Sequence, residues 1–115
     1  MKVKGTLPAF IIVSDSDLCV LLSNALENAL HACQLLDSTK EACVIDVQFH
    51  IRDGHLFLQV ENPCKDDILF ENGIPVSNEP GHGIGVQSIC AIVERYGGMY
   101  TFLVQNHHFI LRLSI

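Results

Sequence analysis

The sequence predicts an α/β fold of the two-layer sandwich type, in which a mixed sheet is covered on one face by helices. One observation supports this class, and a second supports the number of domains. Segments with apolar residues every three or four positions alternate with segments of period two, in the order strand, helix, two strands, loop, helix, two strands. The chain has 115 residues, a length typical of one domain, so we predict a single domain over residues 1–115.

The first predicted helix follows a short strand at residues 10–13. Ser14 is a favourable N-cap, and Asp15 and Asp17 place negative charge in the first turn. Between residues 18 and 36 apolar side chains recur at helical spacing, which predicts one buried stripe. The polar sequence that begins at Asp37 ends the helix.

A hairpin is predicted where two alternating segments flank Asp53-Gly54, a dipeptide typical of type I′ turns. If these two residues form the loop, the register places Ile45 opposite Asn62, so Asn62 points to the core face. An unpaired buried amide costs roughly 1–3 kcal/mol, so Asn62 either bonds local backbone or binds a ligand. The same register pairs Arg52 with His55, Ile51 with Leu56, Phe49 with Leu58 and Val47 with Val60.

The second half of the chain begins with a predicted long loop at residues 63–80, which contains three prolines and no regular pattern. A second amphipathic helix follows at residues 86–96 and ends at Gly97-Gly98. Residues 99–104 and 108–113 form a closing hairpin across Gln105-Asn106.

Composition excludes several functions. The formal net charge is −6, and the seven basic residues are scattered, so nucleic acid is a poor partner. Five cysteines without a CxxC pair predict neither a zinc site nor a disulfide framework. They are better explained as buried thiols in a reducing compartment. The apolar stretch at residues 7–13 contains Pro8 and is too short to span a membrane, so we expect a cytoplasmic domain without membrane contact.

Three polar side chains share one face of the first helix beside its apolar stripe: Asn24, Asn28 and His31 are four and three residues apart. An amide oxygen is a hard ligand that suits Mg²⁺, an ion that takes its other ligands from water and phosphates. Glu27 lies about 100° around the helix from Asn28, so we expect it at the solvent surface or an interface.

A glycine-rich loop precedes the second helix, with glycine at positions 81, 83 and 85. Such a loop brings backbone N–H groups close to an anion, and the helix dipole adds to the effect. The alternative is an ordinary turn into a helix. His82 within the loop either donates to a phosphate or is an exposed loop residue.

Together these segments resemble the GHKL ATPase superfamily. Residues 24–29, Asn-Ala-Leu-Glu-Asn-Ala, resemble its N box, and residues 81–86, Gly-His-Gly-Ile-Gly-Val, resemble its second glycine box. Residues 94–98, followed by the strand at 109–113, resemble the end of the catalytic and ATP-binding domain of sensor histidine kinases. The nearest resemblance is to the peptide quorum-sensing (Agr-type) subfamily, and it spans residues 9–115.

The resemblance implies a Bergerat-type ATP-binding fold with ATP and Mg²⁺ as cofactors and residues 63–80 as the ATP lid. Asn28 is then the metal ligand, and Asn24 and His31 approach the phosphates. Asn62 stands where the superfamily usually has an adenine-binding Asp, a substitution typical of the quorum-sensing subfamily. The segment that covers the triphosphate comprises Gly81, His82, Gly83, Ile84, Gly85 and Val86.

The implied activity is transfer of the ATP γ-phosphoryl group to a His on a separate dimerisation domain of a membrane-anchored sensor, with a response regulator downstream. No catalytic side chain and no phosphoacceptor segment is assigned within this chain, so we expect the isolated domain not to label itself. Hydrolytic relatives carry a Glu where this chain has Asn24, which cannot accept a proton. The alternatives are a regulatory nucleotide-binding module, either a degenerate sensor or an anti-sigma-type serine kinase, and a GHKL ATPase that hydrolyses ATP.

Overall fold

The structure is a computed structural model that describes residues 2–4, 13–34, 43–65, 67–76 and 84–115. Within these ranges the chain forms two helices and seven strands. In chain order they are β1 (Lys2–Lys4), α1 (Asp15–Gln34), β2 (Asp46–Arg52), β3 (His55–Pro63), β4 (Leu69–Glu71), β5 (Ile74–Val76), α2 (Ile84–Arg95), β6 (Met99–Gln105) and β7 (His108–Ser114).

Five strands form one sheet in the order β1-β2-β3-β7-β6. β1 runs parallel to β2, and the remaining pairs are antiparallel, which confirms the predicted mixed sheet. Both helices lie on one face, because the side chains buried beneath them alternate along the strands with side chains exposed on the other face. The two-layer α/β class is therefore confirmed.

The predicted hairpin is β2 and β3, with the predicted register. Arg52 pairs with His55, and Val47 with Val60. Asp53 and Gly54 have φ values of 54° and 80°, as a type I′ turn requires. This register could be predicted from the sequence because a slip of one residue would turn every apolar side chain of the strand toward solvent.

Two predictions in the second half were wrong in detail. The segment predicted as a loop at 63–80 contains the hairpin of β4 and β5, whose turn at Asn72 and Gly73 has φ values of 53° and 79°. The closing hairpin turns at Asn106 and His107, both with positive φ, instead of at Gln105 and Asn106. Asn tolerates this left-handed conformation better than most side chains, which favours the shift by one residue.

The beginning of the chain also differs from prediction. β1 was not predicted, because three residues with two lysines give no clear strand pattern. Of the strand predicted at residues 10–13, residues 10–12 lie outside the described part of the chain, and Val13 is buried but not in a strand. Helix α1 is described up to Gln34, whereas its predicted end near residue 36 lies outside the described residues.

The end of α2 is capped as the Gly97-Gly98 sequence predicts. Gly97 has a φ of 69°. Its N–H donates to the Glu94 carbonyl at 3.0 Å, and the Gly98 N–H donates to the Val93 carbonyl at 2.9 Å. This pair of bonds is a Schellman motif, and it turns the chain directly into β6.

The beginning of α1 is bound to the end of α2 by a polar cluster. Ser14 caps α1 as predicted, because its Oγ accepts a hydrogen bond from the Asp17 N–H at 3.2 Å. The Tyr96 hydroxyl donates to Asp17 Oδ2 at 2.6 Å, and Arg95 Nη1 lies 3.0 Å from Asp17 Oδ1. The first turn of α1 therefore meets the last turn of α2.

The cluster makes stability depend on pH in acid. The Tyr96 hydroxyl first, and then Ser14 and Arg95, hold the pKa of Asp17 below its ordinary value. A pKa that is lower in the folded state stabilises the fold above the ordinary Asp value of about 3.9, and the stabilisation is lost as the pH falls through the lowered value. We expect Asp17→Asn to lower the urea midpoint at neutral pH, by an amount that shrinks below about pH 4. Asp15→Asn, which removes an equal charge from the same turn but leaves the bonds of Asp17 to Tyr96 and Arg95 in place, should lower the midpoint less at neutral pH.

The cysteines correct one expectation from the sequence. Cys33 at the end of α1 and Cys43 before β2 are joined as a disulfide, although no disulfide was predicted. Cys64 and Cys90 are buried thiols, as expected, whereas Cys19 is exposed. Neither helix in the described ranges is long and apolar enough to cross a membrane.

Candidate functional site

The polar face of α1 lies at the border of the helix layer. Leu21, Ala25 and Ala29 are buried against the sheet, which fixes the rotation of the helix. Asn24, Asn28 and His31 are each half-buried, as the predicted position beside the apolar stripe requires. Glu27 is exposed, in agreement with its predicted place on the solvent side.

The first turn of α2 packs directly against this face. A Cβ atom added to Gly85 would lie 3.2 Å from Asn24 Oδ1 and 3.7 Å from Asn24 Cβ, so a larger residue here would require the Asn24 side chain to shift by a few tenths of an ångström. Since the other ends of the helices meet at Asp17 and Tyr96, α1 and α2 run antiparallel. The N-terminus of α2 is thereby brought to the asparagine face of α1.

The start of α2 can attract an anion. The first N–H groups of a helix have no partner within the helix, and the helix dipole places partial positive charge there. No acidic residue lies in the first turn of α2. Ile84, Gly85 and Val86 of the predicted phosphate segment form this turn, whereas Gly81, His82 and Gly83 lie outside the described residues.

Asn62 is the most deeply buried polar side chain in the described part of the chain, with 1% of its surface exposed. It lies on the helix-covered side of β3, as predicted, opposite Phe109 of β7. Its Nδ2 donates to the Pro63 carbonyl at 3.0 Å. Its Oδ1 accepts no hydrogen bond from the described residues. The nitrogen thus bonds local backbone, which is the first of the two alternatives derived from the sequence, and binding of a ligand by the oxygen stays a prediction.

The hydrogen bond to Pro63 also fixes the orientation of the Asn62 side-chain amide. Only the nitrogen can donate to a carbonyl, so Oδ1 must be the atom that faces away from Pro63. A buried acceptor without a partner costs free energy. The arrangement is therefore suited to a ligand that donates a hydrogen bond, such as an aromatic amino group.

The two arginines in the second half of the chain are both engaged away from the asparagine face of α1. Arg95 is held by Asp17 at the far end of α2, and Arg112 Nε donates to Gln59 Oε1 at 2.9 Å on the exposed face of the sheet. No group of three or more His, Cys, Asp or Glu side chains that could hold a metal ion occurs in the described ranges.

A separate apolar cavity of about 140 Å³ lies between α1 and the first three strands. Its walls include Leu18, Leu22, Phe49 and Leu58 and carry no polar surface. It offers nothing to bind a phosphate or a purine edge, so we do not include it in the candidate site.

The chain belongs to the GHKL domain family, whose sequence profile matches residues 14–115. No curated protein sequence matches the chain significantly.

Solved structures of histidine kinases share the fold. The catalytic domain of the histidine kinase ThkA has 17% identity and a TM-score of 0.70, over 98% of this chain and 74% of that one. The histidine kinase domain of the blue-light activated kinase EL346 from Erythrobacter litoralis has 18% identity and a TM-score of 0.70, over 99% and 49%. The mycobacterial sensor histidine kinase MprB has 17% identity and a TM-score of 0.68, over 99% and 80%.

Sequence reasoning missed two features near the site. The contact between Asn24 and Gly85 joins residues far apart in the chain, and only helix packing reveals it. The pairing of Cys33 with Cys43 could have been considered, since both residues flank the predicted end of the helix that carries Asn28. Spacing alone does not determine which cysteines pair.

Proposed function

We propose that this chain is the ATP- and Mg²⁺-binding catalytic domain of a two-component sensor histidine kinase, of the peptide quorum-sensing (Agr-type) subfamily. It would act in the cytoplasm on a phosphoacceptor His in a separate dimerisation domain, with a response regulator downstream. The observation that carries the proposal is the buried Oδ1 of Asn62, which accepts no hydrogen bond from the part of the chain that the structure describes. The family match and the shared fold of histidine kinase catalytic domains support it.

Asn62 would bind the adenine. The exocyclic amino group of adenine is a donor, which complements Oδ1, while the bond from Nδ2 to the Pro63 carbonyl holds the amide in the required orientation. Guanine has an acceptor oxygen at the equivalent position and would face Oδ1 unfavourably. The same asparagine therefore accounts for both affinity and purine selectivity.

The phosphates would lie where α1 and α2 meet. Asn28 is one turn beyond Asn24, which contacts Gly85 in the first turn of α2, so its amide oxygen is a suitable Mg²⁺ ligand near that turn. Asn24 and His31 flank Asn28 on the same face, and Gly81, His82 and Gly83 would extend the phosphate contacts. Mg²⁺ bound there would neutralise charge on the transferred phosphoryl group.

Transfer to another protein is favoured over hydrolysis. Asn24 occupies the helix position from which a carboxylate could activate water, and an amide cannot accept the proton. Glu27 is the nearest carboxylate in sequence to Asn28, but its side chain is exposed on the solvent side of α1. The described residues of the site would therefore position the nucleotide and the metal ion, and a partner would supply the nucleophile.

Phosphoryl transfer can be tested by mixing this chain with a dimerisation domain that contains a phosphoacceptor His, in the presence of radiolabelled ATP and Mg²⁺. We expect acid-labile phosphate on the dimerisation domain and almost none on this chain alone. Asn28→Ala should abolish transfer, and Glu27→Gln should leave it unchanged because Glu27 is exposed. Acid-stable phosphoserine on a partner would indicate the anti-sigma-type alternative, and rapid release of free phosphate would indicate an ATPase.

A further inference from the structure

The disulfide between Cys33 and Cys43 is placed at the end of the helix that carries the proposed metal ligand. The Cα atoms of the two residues are 5.8 Å apart, within the usual range for a disulfide. Cys33 is half-buried and packs against the hydrophobic core. Cys43 is exposed, so dissolved thiols and disulfides can reach it.

One cysteine of this disulfide lies in α1 and the other lies just before β2. Cys33 lies five residues after Asn28 and next to Gln34, the last described residue of α1. Cys43 lies two residues before Ile45, which is 4% exposed and belongs to the core. The bond therefore ties the last described turn of α1 to the anchored segment that leads into β2.

We propose that Cys33 and Cys43 form a reversible redox clamp that holds the end of α1 and raises the nucleotide affinity of the site. The effect on affinity rests on the proposed function, whereas the clamp itself does not. Helix ends fray at little cost in free energy. Holding the last turn increases the fraction of molecules in which Asn28 and His31 are correctly placed, and the apparent affinity rises in proportion.

The oxidant is a small-molecule disulfide, such as glutathione disulfide. The Cys43 thiolate attacks one of its sulfurs and forms a mixed disulfide, which releases one small thiolate. The Cys33 thiolate then attacks the Cys43 sulfur, the intramolecular bond forms, and the second small thiolate leaves. Two protein thiols lose two electrons and two protons, and the small disulfide gains both as two thiols. A dithiol reverses the reaction.

The test equilibrates the folded chain in glutathione buffers of graded ratio, traps free thiols and maps linked peptides by mass spectrometry. Unfolding temperature and affinity for a fluorescent ATP analogue with Mg²⁺ are then measured on each form. We expect a Cys33–Cys43 peptide, an unfolding temperature roughly 5–10 °C higher in the oxidised form, and about threefold tighter analogue binding. Cys43→Ser should remove all three responses, whereas Cys19→Ser, which alters the exposed thiol on α1, should keep them.

Absence of a Cys33–Cys43 peptide in every buffer would overturn the clamp, and equal analogue affinity in the two forms, when both bind, would overturn its effect on the site. If neither form binds the analogue while the unfolding temperature still follows the buffer, the nucleotide-binding function is wrong and the clamp on α1 is supported. The two proposals are thus separable in one set of samples.

Discussion

Replacing Asn62 with Leu should weaken ATP binding about 10- to 100-fold, because the adenine amino group then loses its only proposed acceptor and is buried without a partner. The fold should not lose comparable stability. Oδ1 is buried and has no hydrogen-bond donor among the described residues, so a Leu of similar size removes an unfavourable polar atom while it gives up the bond to the Pro63 carbonyl. We expect the urea midpoint to stay close to that of the wild type. Calorimetric titration with ATP and GTP, combined with urea unfolding, measures both effects.

Asn62→Asp is the matched control, since a carboxylate retains an acceptor at this position. It should preserve the preference for ATP over GTP. A purely structural Asn62 would give the opposite pattern for Asn62→Leu, with a large loss of stability and unchanged nucleotide affinity. That outcome would remove the observation on which the proposed function depends.

Replacing Gly98 with Ala should destabilise the fold strongly. A Cβ on Gly98 would overlap the Ser114 carbonyl oxygen and lie 2.5 Å from Ile115 Cγ2. The backbone at Ser114 cannot move easily, because Ile115 and Leu56 exchange backbone hydrogen bonds. Overpacking of this kind costs typically 1–3 kcal/mol, which corresponds to a fall in unfolding temperature of roughly 5–15 °C. Differential scanning fluorimetry measures the fall.

Gly97→Asn separates crowding from backbone conformation. Gly97 has a φ of 69° and no neighbour within 4 Å of an added Cβ, and Asn tolerates this φ. Its unfolding temperature should therefore change little. If Gly97→Asn were as destabilising as Gly98→Ala, the helix cap would be the sensitive feature, and the close approach of β6 to the chain end would not be.

The parts of the fold that could be predicted from sequence are those set by local chemistry. Asp53-Gly54 and the alternation around it gave the register of β2 and β3, and that register directed Asn62 to the core face. Ser14 gave the start of α1, and Gly97-Gly98 gave the end of α2. In each case the prediction depends on one or two residues that have few conformational alternatives.

The features that escaped prediction depend on contacts between distant segments. β1 is a strand of three residues that pairs in parallel with β2, a partner far away in sequence. β4 and β5 have three residues each, and Pro75 within β5 weakens the strand pattern. The approach of Gly85 to Asn24 follows from the antiparallel packing of α1 and α2. The sequence therefore predicted the chemical types at the site more reliably than their contacts.

The central claim is that the asparagine face of α1, the first turn of α2 and Asn62 bind one molecule of ATP together with Mg²⁺. A crystal structure with a non-hydrolysable ATP analogue and Mg²⁺ tests it most directly. We predict Asn62 Oδ1 within hydrogen-bond distance of the adenine amino nitrogen and Asn28 Oδ1 coordinated to the metal ion. An analogue bound elsewhere, with Asn28 and Asn62 in contact with neither the metal nor the base, would contradict the account.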